Sequence, residues 1–370
     1  MSIRIRRIDT RVVEHRLRPE RIIRSHAGLH DRSRFLIVTV HGEAGLRGYA
    51  EAATTALWSG ETAETAGTII QSLFAPKLIG ASFDHPREAL ALMDAQACAN
   101  PFAKSAVDTA IWDLWARAQN VRSTKLFADR DVVESIPTRA SVGAYNVAET
   151  VRLAEEFWNA GIRTLKFKIG IKGIDDGARL RAVRDRLGDA PIFTVDGNGA
   201  YATMDEALQE LEKMLPYRLA LIEQPVPRER IALMAAIRRQ IRVPMLADES
   251  VFTPEDLTEA LDCDAFDILS IYPGKNGGFT RSLDMAQTAQ RAGKTCSIGS
   301  NLETDLGQAA MACLAAGLSA FPTETLACDL GAAIFYEGSS VRPPLQYANG
   351  RVTVPTGIGF GVEPLEPVES

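Results

Sequence analysis

The fold is decided by four short segments: Leu165-Lys166-Phe167-Lys168, Thr194-Val195-Asp196-Gly197-Asn198, Leu221-Ile222-Glu223-Gln224-Pro225 and Met245-Leu246-Ala247-Asp248-Glu249-Ser250. Each is an apolar run that ends in charged side chains. The charged ends follow one another at intervals of 28, 27 and 25 residues. Such an interval is the length of one strand followed by one helix. The segments therefore predict parallel strands whose charged ends meet at one edge.

The same alternation of strand and helix extends outward from these segments in both directions. Strand patterns lie at residues 135–140, 164–169, 192–195, 219–222, 244–246, 266–271, 295–298 and, weakly, 320–324. Helical patterns lie between them at residues 149–160, 175–187, 204–214, 231–239, 254–261, 280–292 and 306–318. Eight strands with intervening helices predict an α/β fold of the (β/α)₈-barrel type. A doubly wound sheet is the alternative, but no G-x-G-x-x-G motif follows the first strand.

The regions on either side of the barrel have a different texture. Residues 1–128 begin with strand patterns and continue with amphipathic helices, which predicts an α+β capping domain. Residues 129–330 form the predicted barrel domain. The remaining segment, residues 331–370, has short strand runs among Pro and Gly, and we expect it to pack back on the cap and complete it.

Composition narrows the class of protein. With 41 Lys and Arg against 47 Asp and Glu, the net charge is −6, which does not favour nucleic-acid binding. The five cysteines have no metal-type spacing. The N-terminus forms no apolar signal core, and the longest apolar stretch is too short to span a bilayer. We therefore expect a cytoplasmic enzyme with no membrane or nucleic-acid partner.

The three acidic strand ends predict a metal site. Asp196, Glu223 and Asp248 should converge at the barrel mouth, where they need a counter-charge. Hard oxygen ligands suit Mg²⁺, with Mn²⁺ as a possible substitute. The alternative is that each carboxylate caps the helix that follows its strand.

Two lysines precede these carboxylates. Lys166 and Lys168 are two positions apart in a strand and should point together into the mouth. Adjacent ammonium groups lower each other's pKa, and a lysine lowered toward neutrality can serve as a general base. The alternative is that both lysines only offset the acidic cluster. All five histidines lie in the first 85 residues, which excludes a histidine triad built within the barrel.

These motifs, together with Lys275-Asn276-Gly277-Gly278, resemble the enolase superfamily and, within it, the muconate lactonizing enzyme subgroup. Gly48-Tyr49-Ala50-Glu51-Ala52 resembles the strand that leads into the family's capping loop. The resemblance implies a capped barrel that binds Mg²⁺ through three carboxylates and moves a proton next to a substrate carboxylate. It implies Asp196, Glu223 and Asp248 as ligands. It also implies Lys168 as the base or acid, with Lys166 tuning it or contacting the substrate carboxylate.

One position departs from the subgroup. A second catalytic lysine usually ends the sixth strand, and alignment on Asn276-Gly277-Gly278 puts Tyr272 there. Lys275 lies three residues further on and should face the other way, although Pro273-Gly274 could break that alternation. A phenol is a poor base at neutral pH but a good hydrogen-bond donor. We therefore expect one competent base, Lys168.

Candidate substrate residues lie on two cap loops and two late strands. One loop carries Arg24 and His26, and the other carries Thr54 and Trp58. The basic loop either binds an acidic or polar substrate or is a solvated turn. Glu303 and Glu324 match acidic positions of the subgroup, and helix capping or turn formation explains them equally well.

The resulting hypothesis is a Mg²⁺-dependent lyase or isomerase acting on a small carboxylate, of the muconate cycloisomerase type. Three alternatives stay open. The first is a one-base dehydratase of a hydroxy acid. The second is an epimerase that uses Lys168 and Tyr272. The third is a barrel that binds metal and ligand without chemistry. We also expect a homo-oligomer.

Overall fold

A parallel barrel forms the centre of the chain. The computed structural model describes residues 2–365, and its seven-stranded sheet joins strands in chain order. The strands are Arg139–Val142, Thr164–Lys168, Ile192–Asp196, Leu219–Glu223, Met245–Ala247, Ile268–Ile271 and Thr295–Ile298. Every neighbouring pair is parallel. The predicted α/β barrel architecture is confirmed.

The eighth position of the barrel is irregular. The prediction of a strand at residues 320–324 is wrong, because the chain turns there. The Pro322 carbonyl accepts a hydrogen bond from the Thr325 amide. Residues 327–330 close the barrel instead. The Arg139 amide donates to the Cys328 carbonyl at 2.9 Å, and the Asp329 amide donates to the Ile298 carbonyl at 2.9 Å. Asp329 thereby ends the eighth position.

Seven helices connect the barrel strands and cover the sheet. They are Val147–Asn159, Asp176–Leu187, Met204–Glu212, Ile231–Gln240, Pro254–Asp262, Phe279–Arg291 and Asp305–Gly317. Several begin at side-chain caps: Asn146 accepts from the Glu149 amide, and Thr253 forms a capping box with Asp256. The sequence placed all seven within a few residues.

The cap is built on a three-stranded antiparallel sheet of Arg7–Arg16, Arg32–His41 and Arg47–Ala53. The long helix Pro101–Ala118 packs on it, and Gly48 permits the close approach. A Cβ at Gly48 would lie 2.1 Å from the Ala110 carbonyl oxygen. The other cap elements are Ile3–Arg4, Pro19–Arg21, Ile23–Ser25, Gly28–His30, Glu43–Gly45, Ala56–Ser59, Ala63–Ile69, Ile70–Phe74, Ala75–Leu78, Ser82–Phe83, Pro86–Asp94 and Ser123–Leu126.

The C-terminal segment contacts both the cap and the barrel. Its elements are Ala332–Phe335, Val341–Arg342, Tyr347–Ala348, Arg351–Thr353 and Glu363–Pro364. Arg351–Thr353 pairs with Ser135–Pro137 below the first barrel strand. On the cap side, the Phe360 amide donates to Asp113 at 2.7 Å. The division at residues 128 and 330 stays a prediction, and residues 366–370 lie outside the described part.

No helix among residues 2–365 is both long enough and apolar enough to cross a membrane.

Candidate active site

Strand register brings the predicted site residues to one level of the barrel. Lys168 is paired with Asp196, and Asp196 with Glu223, across neighbouring strands. Asp248 follows the next strand directly. The three carboxylate residues are at most 5% exposed. The structure therefore gathers charged groups where parallel strands end, as the spacing predicted.

Both lysines bind these carboxylates directly. The Lys168 Nζ lies 2.5 Å from Asp196 Oδ2 and 2.8 Å from Asn198 Oδ1. The Lys166 Nζ lies 2.7 Å from Asp329 Oδ2 and 3.2 Å from Glu223 Oε1. Lys168 thus contacts groups at the end of the third strand, whereas Lys166 reaches across to the eighth position.

The pKa values follow from this crowding. Burial alone would raise the pKa of Asp196, but the charges of Lys168 and Lys166 hold it below its ordinary value. Burial and the Asp196 charge raise the pKa of Glu223 to about 7. Burial lowers the pKa of Lys166, yet Asp329 and Glu223 outweigh that effect and leave it raised. The prediction that the neighbouring lysine lowers the pKa of Lys166 is therefore wrong, because the nearby carboxylates raise it.

The donor set fits a hard divalent cation. Asp196, Glu223 and Asp248 supply carboxylate oxygens from three successive strands, which is the ligand chemistry that Mg²⁺ prefers. Within residues 2–365, no three His, Cys, Asp or Glu side chains already lie close enough to form a metal cluster. Lysine ammonium groups neutralise these carboxylates instead, and Lys275 Nζ lies 3.0 Å from Asp248 Oδ1. The raised pKa of Glu223 shows that this crowded set favours additional positive charge.

Tyr272 is buried at the end of the sixth strand. It is fully inaccessible to solvent, and its hydroxyl has no hydrogen-bond partner in the described structure. Its ring centroid lies 6.5 Å from that of Trp58 in the cap. Burial and the charges of Asp248 and Glu249 raise the pKa of Tyr272 well above 10. The phenol is therefore neutral and can donate a proton or a hydrogen bond.

Lys275 does reach the carboxylate set, contrary to the alternation expected of a strand. A short helix, Pro273–Asn276, begins directly after Tyr272. Residues three apart on a helix share a face, so Lys275 turns inward. Its Nζ donates to the Asp248 carbonyl at 2.8 Å, to Asp248 Oδ1 and to the Ser270 carbonyl at 2.8 Å. These contacts use all three protons of the ammonium group.

A cavity of about 240 Å³ lies between the barrel mouth and the cap loops. Lys166 and Lys168 line it from the barrel, and Trp58 lines it from the cap. Its remaining lining residues are Ile23, Ser25, Ala27, Gly28, Leu29, His30, Thr55, Leu57, Arg139, Ser141, Asn198, Ser300, Asn301, Leu302, Gln308, Asp329, Gly331 and Phe335. The cavity size suits a small organic acid.

The predicted substrate residues are only partly brought together. Trp58 lines the cavity, but Arg24, His26 and Thr54 do not, and Leu29, His30 and Thr55 line it in their place. Arg24 and His26 lie in the hairpin formed by Ile23–Ser25 and Gly28–His30. This hairpin leaves both side chains exposed to solvent and outside the cavity. Thr55 lines the cavity and Thr54 does not. The Thr55 hydroxyl accepts a hydrogen bond from Asn301 Nδ2 at 2.5 Å.

The two predicted glutamates fall in different places. Glu303 is buried and accepts from the Ser300 hydroxyl at 2.6 Å, and burial raises its pKa to about 7. Glu303 does not line the cavity itself, but it binds Ser300 and Asn301, which do. Glu324 is exposed and pairs with Arg351 at 2.6 Å, near the amino end of the barrel. Glu324 is therefore not among the residues that line the cavity, because the chain turns at Pro322.

Asp329 and Arg139 are site residues that sequence reasoning missed. Arg139 Nε and Nη2 donate to the two Asp329 carboxylate oxygens at 2.7 and 2.8 Å. Arg139 Nη2 also lies 3.3 Å from Glu223. The signal was present, since Asp329 follows the apolar run Leu326-Ala327-Cys328 as the other acids follow theirs. The misplaced eighth strand concealed it.

The comparisons with known proteins agree with this architecture. Residues 7–127 match the mandelate racemase / muconate lactonizing enzyme N-terminal domain, and residues 149–368 match the enolase C-terminal domain-like family. The chain belongs to the mandelate racemase / muconate lactonizing enzyme family within the enolase superfamily. It is an enzyme, a metal-dependent isomerase or lyase that works through proton transfer next to a carboxylate.

Individual relatives span several reactions. The chain is 30% identical to muconate cycloisomerase 1 of Rhodococcus opacus, over 89% of this chain and 88% of that protein. It is also 30% identical to N-succinylamino acid racemase of Thermus thermophilus, over 90% and 88%. Among solved structures, L-Ala-D/L-Glu epimerase of Bacillus subtilis superposes with a TM-score of 0.90 at 26% identity, covering 97% of this chain and 98% of that one. These names include cycloisomerases, racemases and epimerases.

Proposed function

We propose that this enzyme moves a single proton at the carbon next to a substrate carboxylate, with Lys168 as its one base, in a reaction of the muconate cycloisomerase type. One observation carries the proposal. Of the three polar groups at the two opposed strand ends, only Lys168 lines the cavity. Lys275 has all its protons engaged, and Tyr272 is held neutral.

Each group then has a defined role. Asp196, Glu223 and Asp248 would hold Mg²⁺, with Mn²⁺ as a substitute. The bound cation supplies positive charge near the substrate carboxylate as the adjacent carbon loses its proton. Lys168 would take that proton at Nζ. Lys166 stays charged between Asp329 and Glu223 and offsets the negative charge of the site.

Epimerisation fits this site less well. It requires a group on the opposite face that accepts as well as donates a proton. Tyr272 stands on that face, and its raised pKa keeps it protonated near neutral pH. The racemases and epimerases among the relatives therefore define the family rather than the reaction of this chain.

Dehydration of a hydroxy acid is the second candidate, and the free hydroxyl of Tyr272 favours it. Lys168 would take the proton next to the carboxylate while the bond from the neighbouring carbon to its hydroxyl breaks. Tyr272 would give its proton to the departing hydroxide, which leaves as water. Both candidates use Lys168 as the base.

The test is a product screen. The enzyme with excess Mg²⁺ is incubated with small carboxylic acids, lactones and hydroxy acids, and the products are identified by NMR. We expect cycloisomerisation or loss of water, abolished by chelator and by Lys168→Ala. Product formation by the Lys168→Ala enzyme, or in excess chelator, would remove the basis of the proposal. We also propose a cytoplasmic homo-oligomer, which size-exclusion chromatography with light scattering tests.

A further inference from the structure

Two exposed leucines of the cap line the cavity. Leu29 and Leu57 are 65% and 68% exposed, the most exposed large hydrophobic side chains among residues 2–365. Leu29 lies in the strand Gly28–His30 and Leu57 in the short helix Ala56–Ser59, yet both line this one cavity. Trp58 lies beside Leu57. Two isolated exposed leucines need no explanation, but two that converge on a ligand cavity indicate a surface that a ligand covers.

Every charged residue that lines the cavity lies on the barrel side. These residues are Arg139, Lys166, Lys168 and Asp329. They belong to the first, second and eighth positions of the barrel, where the substrate carboxylate would bind. The charge that serves this carboxylate is therefore concentrated at the floor of the cavity.

The cap contributes only uncharged side chains to the lining. Its one titratable member is His30, whose pKa is lowered mainly by burial, so that the ring is neutral at neutral pH. His30 Nε2 lies 2.7 Å from the Ser33 hydroxyl. The neighbouring Asp31 and Arg32 bond to each other at 3.3 Å and do not line the cavity. A second ionised group on a substrate would meet no counter-charge here.

We propose that the substrate carries one ionised carboxylate, held at the barrel floor, and an uncharged apolar body that contacts Leu29, Leu57 and Trp58. This proposal rests on the proposed function and narrows its substrate class. It favours a hydroxy acid or a lactone with a single free carboxylate over an open-chain dicarboxylate or a dipeptide with a free ammonium group. An ionised distal group would lose water on entry without gaining a partner.

Calorimetric titration of the Mg²⁺-loaded enzyme tests the proposal without requiring turnover. The probes are straight-chain monocarboxylates of four to eight carbons and the α,ω-dicarboxylates of equal length. Affinity for the monocarboxylates should rise about fourfold for each added methylene. The matching dicarboxylates should bind at least about tenfold more weakly. Equal or tighter binding of the dicarboxylates would overturn the proposal, as would no dependence on chain length.

A matched pair of variants tests whether Leu57 at the cavity determines the preference for monocarboxylates. Leu57→Lys adds a cation to an exposed position, so it should shift preference toward the dicarboxylates by up to about fivefold. Leu92→Lys makes the same change on the helix Pro86–Asp94, outside the cavity, and should leave selectivity unchanged. An unchanged preference in Leu57→Lys would contradict the proposal. Selective binding without product in the screen would contradict the proposed function alone, and product from dicarboxylates would contradict this inference alone.

Discussion

Removing the hydroxyl of Tyr272 should separate catalysis from folding. The hydroxyl is fully buried and has no protein partner, so Tyr272→Phe leaves no other group unsatisfied. A buried polar group without a partner costs about 1–3 kcal/mol, and the free energy of unfolding should therefore stay constant or rise. If the phenol donates to the substrate during reaction, its loss should lower kcat about 10²- to 10³-fold with little change in KM.

The assay combines steady-state kinetics with denaturant unfolding of the same preparations. Tyr201→Phe is the matched control, because the Tyr201 hydroxyl is also buried and unpartnered, but the charged groups near it are Asp176, Glu206 and Glu210 and not the predicted metal ligands. Tyr201→Phe should behave like Tyr272→Phe in unfolding and like wild type in turnover. Wild-type kcat in Tyr272→Phe would refute the assignment of the phenol as a donor. A large loss of stability would refute the claim that its hydroxyl is unpartnered.

Three further changes test other groups. Lys168→Ala should lower turnover about 10²- to 10⁴-fold while binding of the carboxylate probes persists, and near-normal turnover would place the base elsewhere. Asp248→Asn should weaken Mg²⁺ binding in calorimetry with little effect on unfolding, and unaltered Mg²⁺ affinity would exclude Asp248 as a ligand. Burial raises the pKa of Glu51 to about 8, so the folded state keeps a proton that the unfolded state releases above about pH 4.5. Wild-type stability should fall as pH rises from about 4.5 to about 8, and Glu51→Gln should fall less. Equal slopes in denaturant unfolding at pH 5 and pH 8 would contradict this origin.

Repeating, local patterns made the barrel predictable from sequence. The spacing from Lys168 to Asp248 fixes parallel strands, and the carboxyl ends of parallel strands meet. The acids that follow those strands could therefore be assigned before any distance was known. The same reasoning failed at the eighth position, where Asp329 follows a segment that is hydrogen-bonded into the barrel without regular strand geometry.

The orientation of Lys275 and of the cap residues depends on non-local packing and could not be predicted from the sequence. Lys275 turns inward only because a helix begins at Pro273, which replaces the alternation of a strand with the periodicity of a helix. On the cap, loop charge suggested Arg24 and His26 as binding residues. The hairpin instead directs Leu29 and His30 toward the cavity, and its orientation depends on contacts such as the Arg24 carbonyl with the Ala144 amide. Contacts of this kind leave no signature in a single sequence.

Solvent-deuterium exchange distinguishes an enzyme with one proton-transferring base from an enzyme with two. The Mg²⁺-loaded enzyme is incubated in D₂O with each enantiomer of a chiral carboxylate substrate separately, and deuterium next to the carboxylate is followed by NMR. We expect exchange from one enantiomer only, abolished in Lys168→Ala, because Tyr272 on the other face donates but does not accept a proton. Equal exchange from both enantiomers would contradict the one-base account, since it requires a second group able to accept a proton on the opposite face.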